Sequence, residues 1–129
     1  MNGTLHHVEI NVSDLASSRA FYGWLLPLMG YTPYQEWKQG FSYRLGETYL
    51  VFVQTEAAFL DRPYHRKATG LNHLAFHADP ALIQRVSQAL AQKGIPFLYP
   101  DRHPYAAGEN ALALFFEDPD RLKIELAAY

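Results

Sequence analysis

The sequence predicts an α+β fold of two related modules, each one strand, one helix and three further strands. Three observations predict it: an internal repeat, an apolar helical stripe after each copy, and short alternating apolar runs separated by turn residues. The repeat appears when Leu5-His6-His7-Val8-Glu9-Ile10-Asn11-Val12-Ser13-Asp14 is set against Leu71-Asn72-His73-Leu74-Ala75-Phe76-His77-Ala78-Asp79-Pro80. His7 falls on His73, and the apolar residues Val8, Ile10 and Val12 fall on Leu74, Phe76 and Ala78. Strands send side chains to alternate faces. His7, Glu9 and Asn11 therefore share one face, as do His73, Ala75 and His77.

Taken in order, Ser13-Asp14 is placed to cap a helix that opens at Leu15-Ala16-Ser17-Ser18. Phe21, Leu25 and Leu28 recur at helical spacing, with Tyr22 and Met29 beside them. Pro27 kinks or ends that helix, and Gly30 follows as its stop. Tyr31 to Trp37, Phe41 to Leu45 and Tyr49 to Val53 read as strands, the last two a hairpin about Gly46-Glu47. Residues 55 to 69 read as a connector whose basic cluster, Arg62, His65, Arg66 and Lys67, is expected to be solvated.

The second half replays the first. Asp79-Pro80 caps a helix with proline at its first position. Ile83, Val86 and Leu90 form its buried stripe, and Gly94 closes it. Ile95 to Tyr99 reads as a strand and Pro100 to Asn110 as a loop. Ala111 to Phe116 and Leu122 to Leu126 form a final hairpin. The expected organisation is thus one domain over 1–129, with modules at about 5–54 and 70–127. The arrangement of strands and hairpins argues for α+β and against a doubly wound parallel sheet.

Bulk properties narrow the function classes. The 129 residues are 49% hydrophobic and 19% charged, an ordinary globular balance, with aromatics at a high 15%. The formal net charge of −2 supplies no basic footprint for nucleic acid or an anionic membrane. With no cysteine, thiolate chemistry and disulfides are unavailable. No stretch reads as a secretion signal or a membrane span, so a cytoplasmic protein acting on small molecules is expected.

On the last strand Leu122, Ile124 and Leu126 face one way, and Lys123 and Glu125 the other. If the two halves pair, His7, His73 and Glu125 converge. Two imidazoles and one carboxylate leave positions open on a divalent metal for water or substrate. Glu9, two residues beyond His7, and His77, four beyond His73, share the faces of those histidines, as candidate general bases or partners of an imidazole. Tyr43, with Trp37, Phe41 and Tyr49, is a candidate pocket wall. Lys123 is a candidate for an anionic substrate group, although a strand lysine more often reaches out to water. His6 is read as structural on the helix side.

The run from His7 to Asp14 with Phe21-Tyr22, then Gly70-Leu71-Asn72-His73-Leu74-Ala75-Phe76, then Phe116-Glu117-Asp118-Pro119-Asp120 with Lys123-Ile124-Glu125-Leu126, resembles the vicinal oxygen chelate superfamily. That group includes glyoxalase I, the fosfomycin- and bleomycin-resistance proteins and the extradiol dioxygenases. The resemblance spans roughly residues 5 to 127. It implies paired βαβββ modules forming a cupped, partly open barrel-like sheet around a divalent ion (Ni, Zn, Mn or Fe), and commonly a homodimer. Carried over by position, His7, His73 and Glu125 are the metal ligands. The implied activity is a glyoxalase/lyase-like or dioxygenase-like metalloenzyme that chelates a substrate and stabilises an oxyanion or enolate. The alternatives are a metal-free binder of the bleomycin-resistance kind and a fosfomycin-type thiol transferase.

The departures are informative. The fourth ligand place of glyoxalase I falls at Val51 or Phe52, both apolar. Arg121 stands where a glycine usually follows Asp-Pro-Asp, which puts a side chain in a tight turn. The sequence ends at Tyr129, without the arginine-bearing tail of fosfomycin-resistance enzymes.

Overall fold

The computed structural model describes residues 1–129, which divide into two compact units, Met1–Pro63 and Tyr64–Tyr129. In the first unit, strand β1 (His7–Val12) leads into helix α1 (Leu15–Leu28). Strands β2 (Thr32–Trp37), β3 (Gly40–Leu45) and β4 (Thr48–Gln54) follow. They form one sheet in the order β1-β4-β3-β2, with β1 parallel to β4 and the other pairs antiparallel. The helical stripe closes the core: Phe21, Tyr22, Leu25 and Leu26 are buried, as are Phe41, Leu50 and Phe52 of the sheet. Tyr22 and Phe41 both stack on Phe52, at ring separations of 4.1 and 5.0 Å. Fully burying one such side chain contributes about 1.5–3 kcal/mol.

Helix α1 starts differently from expectation. Asp14 occupies the cap position, but its carboxylate accepts from the Ser17 hydroxyl rather than from a backbone amide. The part-buried first-turn amide of Leu15 donates instead to Oε1 of Gln54, at the end of β4. The Gln54 side-chain NH2 in turn donates to the Ser13 carbonyl. Pro27 lies in the last turn, where the one ladder bond it removes, to the Gly23 carbonyl, falls as the helix is ending.

In the second unit, β5 (His73–His77) precedes α2 (Pro80–Lys93), and β6 (Ala113–Glu117) and β7 (Lys123–Ala127) follow. The sheet order is β5-β7-β6, with β5 parallel to β7 and β6 antiparallel to it. Asp79 caps α2 by accepting from the Leu82 amide, and Gly94 ends it with φ +72°. Both ends behave as the sequence indicates.

The expected strand over Ile95 to Tyr99 does not form; that segment belongs to the loop before β6. Pro96 removes a ladder donor within the segment, and Tyr99 leaves the extended region with φ +56°, so no paired strand forms. What remains is one bond, from the Leu98 amide to the Phe115 carbonyl on the edge of β6. The connector is also more structured than expected. It carries a short 3-10 turn at Ala57–Phe59, and Arg66 is held in an ion pair with Glu117 rather than solvated.

Gly40 opens β3 under the Trp37 ring. A Cβ there would stand 2.5 Å from Trp37 Cζ2 and 2.6 Å from the Phe52 carbonyl oxygen. The second neighbour is backbone of the central strand β4 and cannot swing aside. Gly40→Ala is expected to destabilise by about 1–3 kcal/mol in chemical denaturation, as overpacking does. Unchanged stability would mean that the β2–β3 turn yields freely.

Candidate functional site

Parallel pairing of β5 with β7 sets His73 beside Lys123 and Ala75 beside Glu125. Antiparallel pairing sets Phe115 beside Glu125 and Glu117 beside Lys123. Alternation then puts His73, His77, Glu117, Phe115, Lys123 and Glu125 on one face. Leu74, Phe76, Leu114, Phe116, Ile124 and Leu126 take the other.

His73 and Glu125 meet on the polar face, with Nε2 3.0 Å from Oε2. Each is held by a second partner. Asn72 Oδ1 is 2.7 Å from His73 Nδ1, so Nδ1 carries a proton and Nε2 is the nitrogen turned toward Glu125. The Tyr129 hydroxyl donates to Glu125 Oε1 at 2.6 Å, leaving Oε2 as the oxygen that faces the imidazole. Glu125 is only 3% exposed. In the neutral tautomer two acceptors face each other at 3.0 Å, an arrangement that calls for a cation between them, either a proton or a metal ion. Ligand atoms about 2.1 Å from an ion and at right angles lie about 3 Å apart, so this pair fits a divalent metal.

His7 lies on β1, the edge strand of the first unit's sheet, and is exposed. Its ring stacks on Tyr49 at 4.8 Å, and its Nδ1 is 2.8 Å from Nδ1 of His6. That leaves Nε2 for a ligand. His6 is therefore not a buried structural residue; it is exposed and orients His7. Glu9 is exposed two residues along, beside Val51 in the parallel register. That register puts Val51 on the His7 face and Phe52 on the helix face, so the apolar residue at the fourth ligand place is Val51. Within neither unit do three His, Asp or Glu side chains gather into a metal cluster.

Other sequence candidates separate. Tyr43 pairs with Leu50 and lies on the α1 face, with its hydroxyl 3.3 Å from where a Gly23 Cβ would be. It is turned away from the His7 face and does not wall that side. Phe41 is core. His77 is exposed and lines an open hollow with Ala127 and Tyr129, four residues along β5 from His73. Lys123 does not reach water as expected: β7 is the central strand, and the residue is 9% exposed. Its Nζ donates to the Tyr99 hydroxyl at 3.1 Å and lies over the Tyr99 and Phe115 rings.

Tyr99, Asn72 and Tyr129 were not singled out from sequence. Only Asn72, next to a ligand candidate, carried a usable signal.

The sequence profile of the Glyoxalase/Bleomycin resistance protein/Dioxygenase superfamily matches residues 4–126. The chain belongs to that superfamily. The uncharacterized Bacillus subtilis protein YqjT is 50% identical over 125 residues, covering 96% of this chain and 98% of that one. A Bacillus halodurans protein provisionally designated a glyoxalase has a crystal structure similar to this one. It is 54% identical, with a TM-score of 0.96 over 99% of this chain and 97% of that one. The fold extends further, to a glyoxalase/dioxygenase from Nostoc punctiforme at 22% identity and TM-score 0.75, covering 98% of this chain and 90% of that one. No helix is long and apolar enough to cross a membrane.

Two tyrosines of the polar face titrate oppositely. The hydrogen bond from Lys123 holds the Tyr99 hydroxyl below the ordinary tyrosine value of 10.0; partial burial opposes this, and the charges of Lys123 and Arg66 assist. Tyr129 is pushed up because its proton is held by Glu125. Because the Tyr99 pKa is depressed by folding, its contribution to stability grows as pH rises through the folded value and is complete above 10. In an ultraviolet titration Tyr99→Phe should remove the earliest-ionising tyrosine, and Lys123→Met should move that phenol upward. An unchanged first transition in both variants would exclude the pairing.

Proposed function

We propose that this chain is a metal-dependent, glyoxalase-like enzyme acting on a small oxygen-bearing substrate, with His73, Glu125 and His7 as the ligands of a divalent ion. The observation that carries the reading is the His73–Glu125 pair, with each member fixed by its own partner. Asn72 selects the tautomer that offers Nε2, and Tyr129 orients the carboxylate, the roles that outer partners play around bound metals. His7 has its Nδ1 occupied and its Nε2 available. The superfamily resemblance assigns it as the first module's ligand.

When bound, the ion supplies Lewis acidity toward adjacent oxygens of a substrate. The chain supplies the rest. Glu125 is withdrawn from water, which strengthens its electrostatic hold. Phe115, edge-on to His73 at 6.2 Å, keeps that side of the site dry. Glu9, exposed on the His7 face, is the group placed to move a proton; His77, four residues along β5 from His73, is a more distant second candidate. An apolar Val51 at the fourth ligand place points away from the four-ligand glyoxalase I pattern and toward a three-ligand site.

The test is metal content by mass spectrometry after purification without chelator, followed by reconstitution with Ni, Zn, Mn or Fe(II). The wild type should hold close to one equivalent, His73→Ala and Glu125→Gln should lose it, and Tyr129→Phe should weaken affinity by about 10–100-fold. A folded wild type that binds no ion overturns the proposal in favour of a metal-free small-molecule binder.

A further inference from the structure

Lys123 is a buried cation without a carboxylate of its own. Glu117, directly across on β6, is engaged by Arg66 and Arg121. Glu125, two residues along the same face, has its oxygens engaged by His73 and Tyr129. The only polar partner of Lys123 is the Tyr99 hydroxyl, with the Tyr99 and Phe115 rings at 5.4 and 5.7 Å from Nζ. Ring faces and one phenol are weak compensation for an ammonium withdrawn from water, because a desolvated charge needs a counter-charge or a full set of hydrogen bonds.

The surroundings deepen the imbalance. The Arg102 guanidinium lies 4.9 Å over the Tyr99 ring, and Arg66 is close enough to act on the Tyr99 hydroxyl. Three cations thus surround one phenol, and Glu117 is the carboxylate among them. Tyr99 reaches this place from a left-handed backbone, φ +56°, which costs an aromatic residue free energy. An unfavourable backbone that delivers a phenol to an uncompensated lysine is a built feature, since a different loop residue would relieve both costs.

We propose that Lys123 and Tyr99 form an anion subsite that takes a carboxylate of the substrate, beside the His73–Glu125 pair. Strand geometry puts the two places about 7 Å apart along β7 or one strand spacing apart across to β5. The substrate class is therefore a small carboxylic acid that carries a second oxygen, a hydroxyl or carbonyl, within one or two carbons of the carboxylate. The lysine supplies the charge and the phenol a directional donor, with Phe115 as the apolar floor. The second-oxygen part of this assignment rests on the metal reading above; the anion subsite stands without it.

The experiment uses the full chain stripped with EDTA, with lactate and its neutral isostere lactamide as probes. Binding is followed by amide chemical-shift titration. Lactate should shift the amides of Tyr99, Glu117 and Lys123 saturably, and lactamide should shift them at least tenfold more weakly. Lys123→Met should reduce lactate affinity at least tenfold, Lys123→Arg should retain most of it, and Tyr99→Phe should lose about fivefold. Equal binding of lactate and lactamide, or undiminished lactate binding by a folded Lys123→Met, overturns the subsite. In a separate arm with one equivalent of Zn, tighter lactate binding in wild type but not in His73→Ala supports the second-oxygen assignment. No tightening overturns that assignment alone and leaves the carboxylate subsite in place.

Discussion

The parallel pairing of each module's first strand with its last is the constraint on which the remainder depends. In the second unit it fixes which residues of β5 and β7 are neighbours, and hence that His73 meets Glu125 and flanks Lys123. The register is enforced from the opposite face, where Leu114, Phe116, Ile124 and Leu126 are wholly buried. A slip of one residue would exchange the faces, putting Glu125 into the core and those four side chains outside. At roughly 1.5–3 kcal/mol for each large apolar side chain, the core outweighs any rearrangement of the polar face. The geometry of the polar groups is thus specified largely by residues that never touch a ligand.

Much of this was legible in the amino-acid sequence because it rests on periodicity. The repeat of His7 and His73, the alternation around Glu125 and the cap at Asp79 each follow from a local rule, and each element appears where its rule places it. The unreadable parts depend on contacts between distant residues. Alternation put Lys123 on the right face but said nothing of its depth, which follows from β7 being central and from the loop that brings Tyr99 over it. The proline at 96 was visible, yet the apolar run around it outweighed its lost donor in the reading of Ile95 to Tyr99. Tyr43 was assigned to a pocket on aromatic character alone, when its strand phase already put it with Leu50 rather than with His7.

The two modules carry their backbone strain differently. In the first unit every positive φ falls on glycine, at Gly3, Gly30 and Gly46. In the second, Tyr99, Asn110 and Arg121 also adopt left-handed conformations. At Arg121 the cost is offset locally: Asp118 Oδ1 accepts from the amides of Asp120 and Leu122, and the guanidinium reaches Glu117. Tyr99 opens a turn that the Arg102 amide closes on its carbonyl, and its side chain is held by Lys123 and Arg102. Left-handed backbone at a non-glycine residue is a common mark of a functional surface.

Gln54 has a consequence for how the first unit comes apart. A single amide side chain ties the entry of α1 to the far end of β4, across 39 residues for one bond and 41 for the other. The helix start has no side-chain cap of its own, so it acquires its partner only once β4 is in place. Fraying of the helix and detachment of the strand are therefore one event rather than two. The first unit should open as a single cooperative block, with slow amide exchange at Leu15 matched to that of β4 rather than to a helix end.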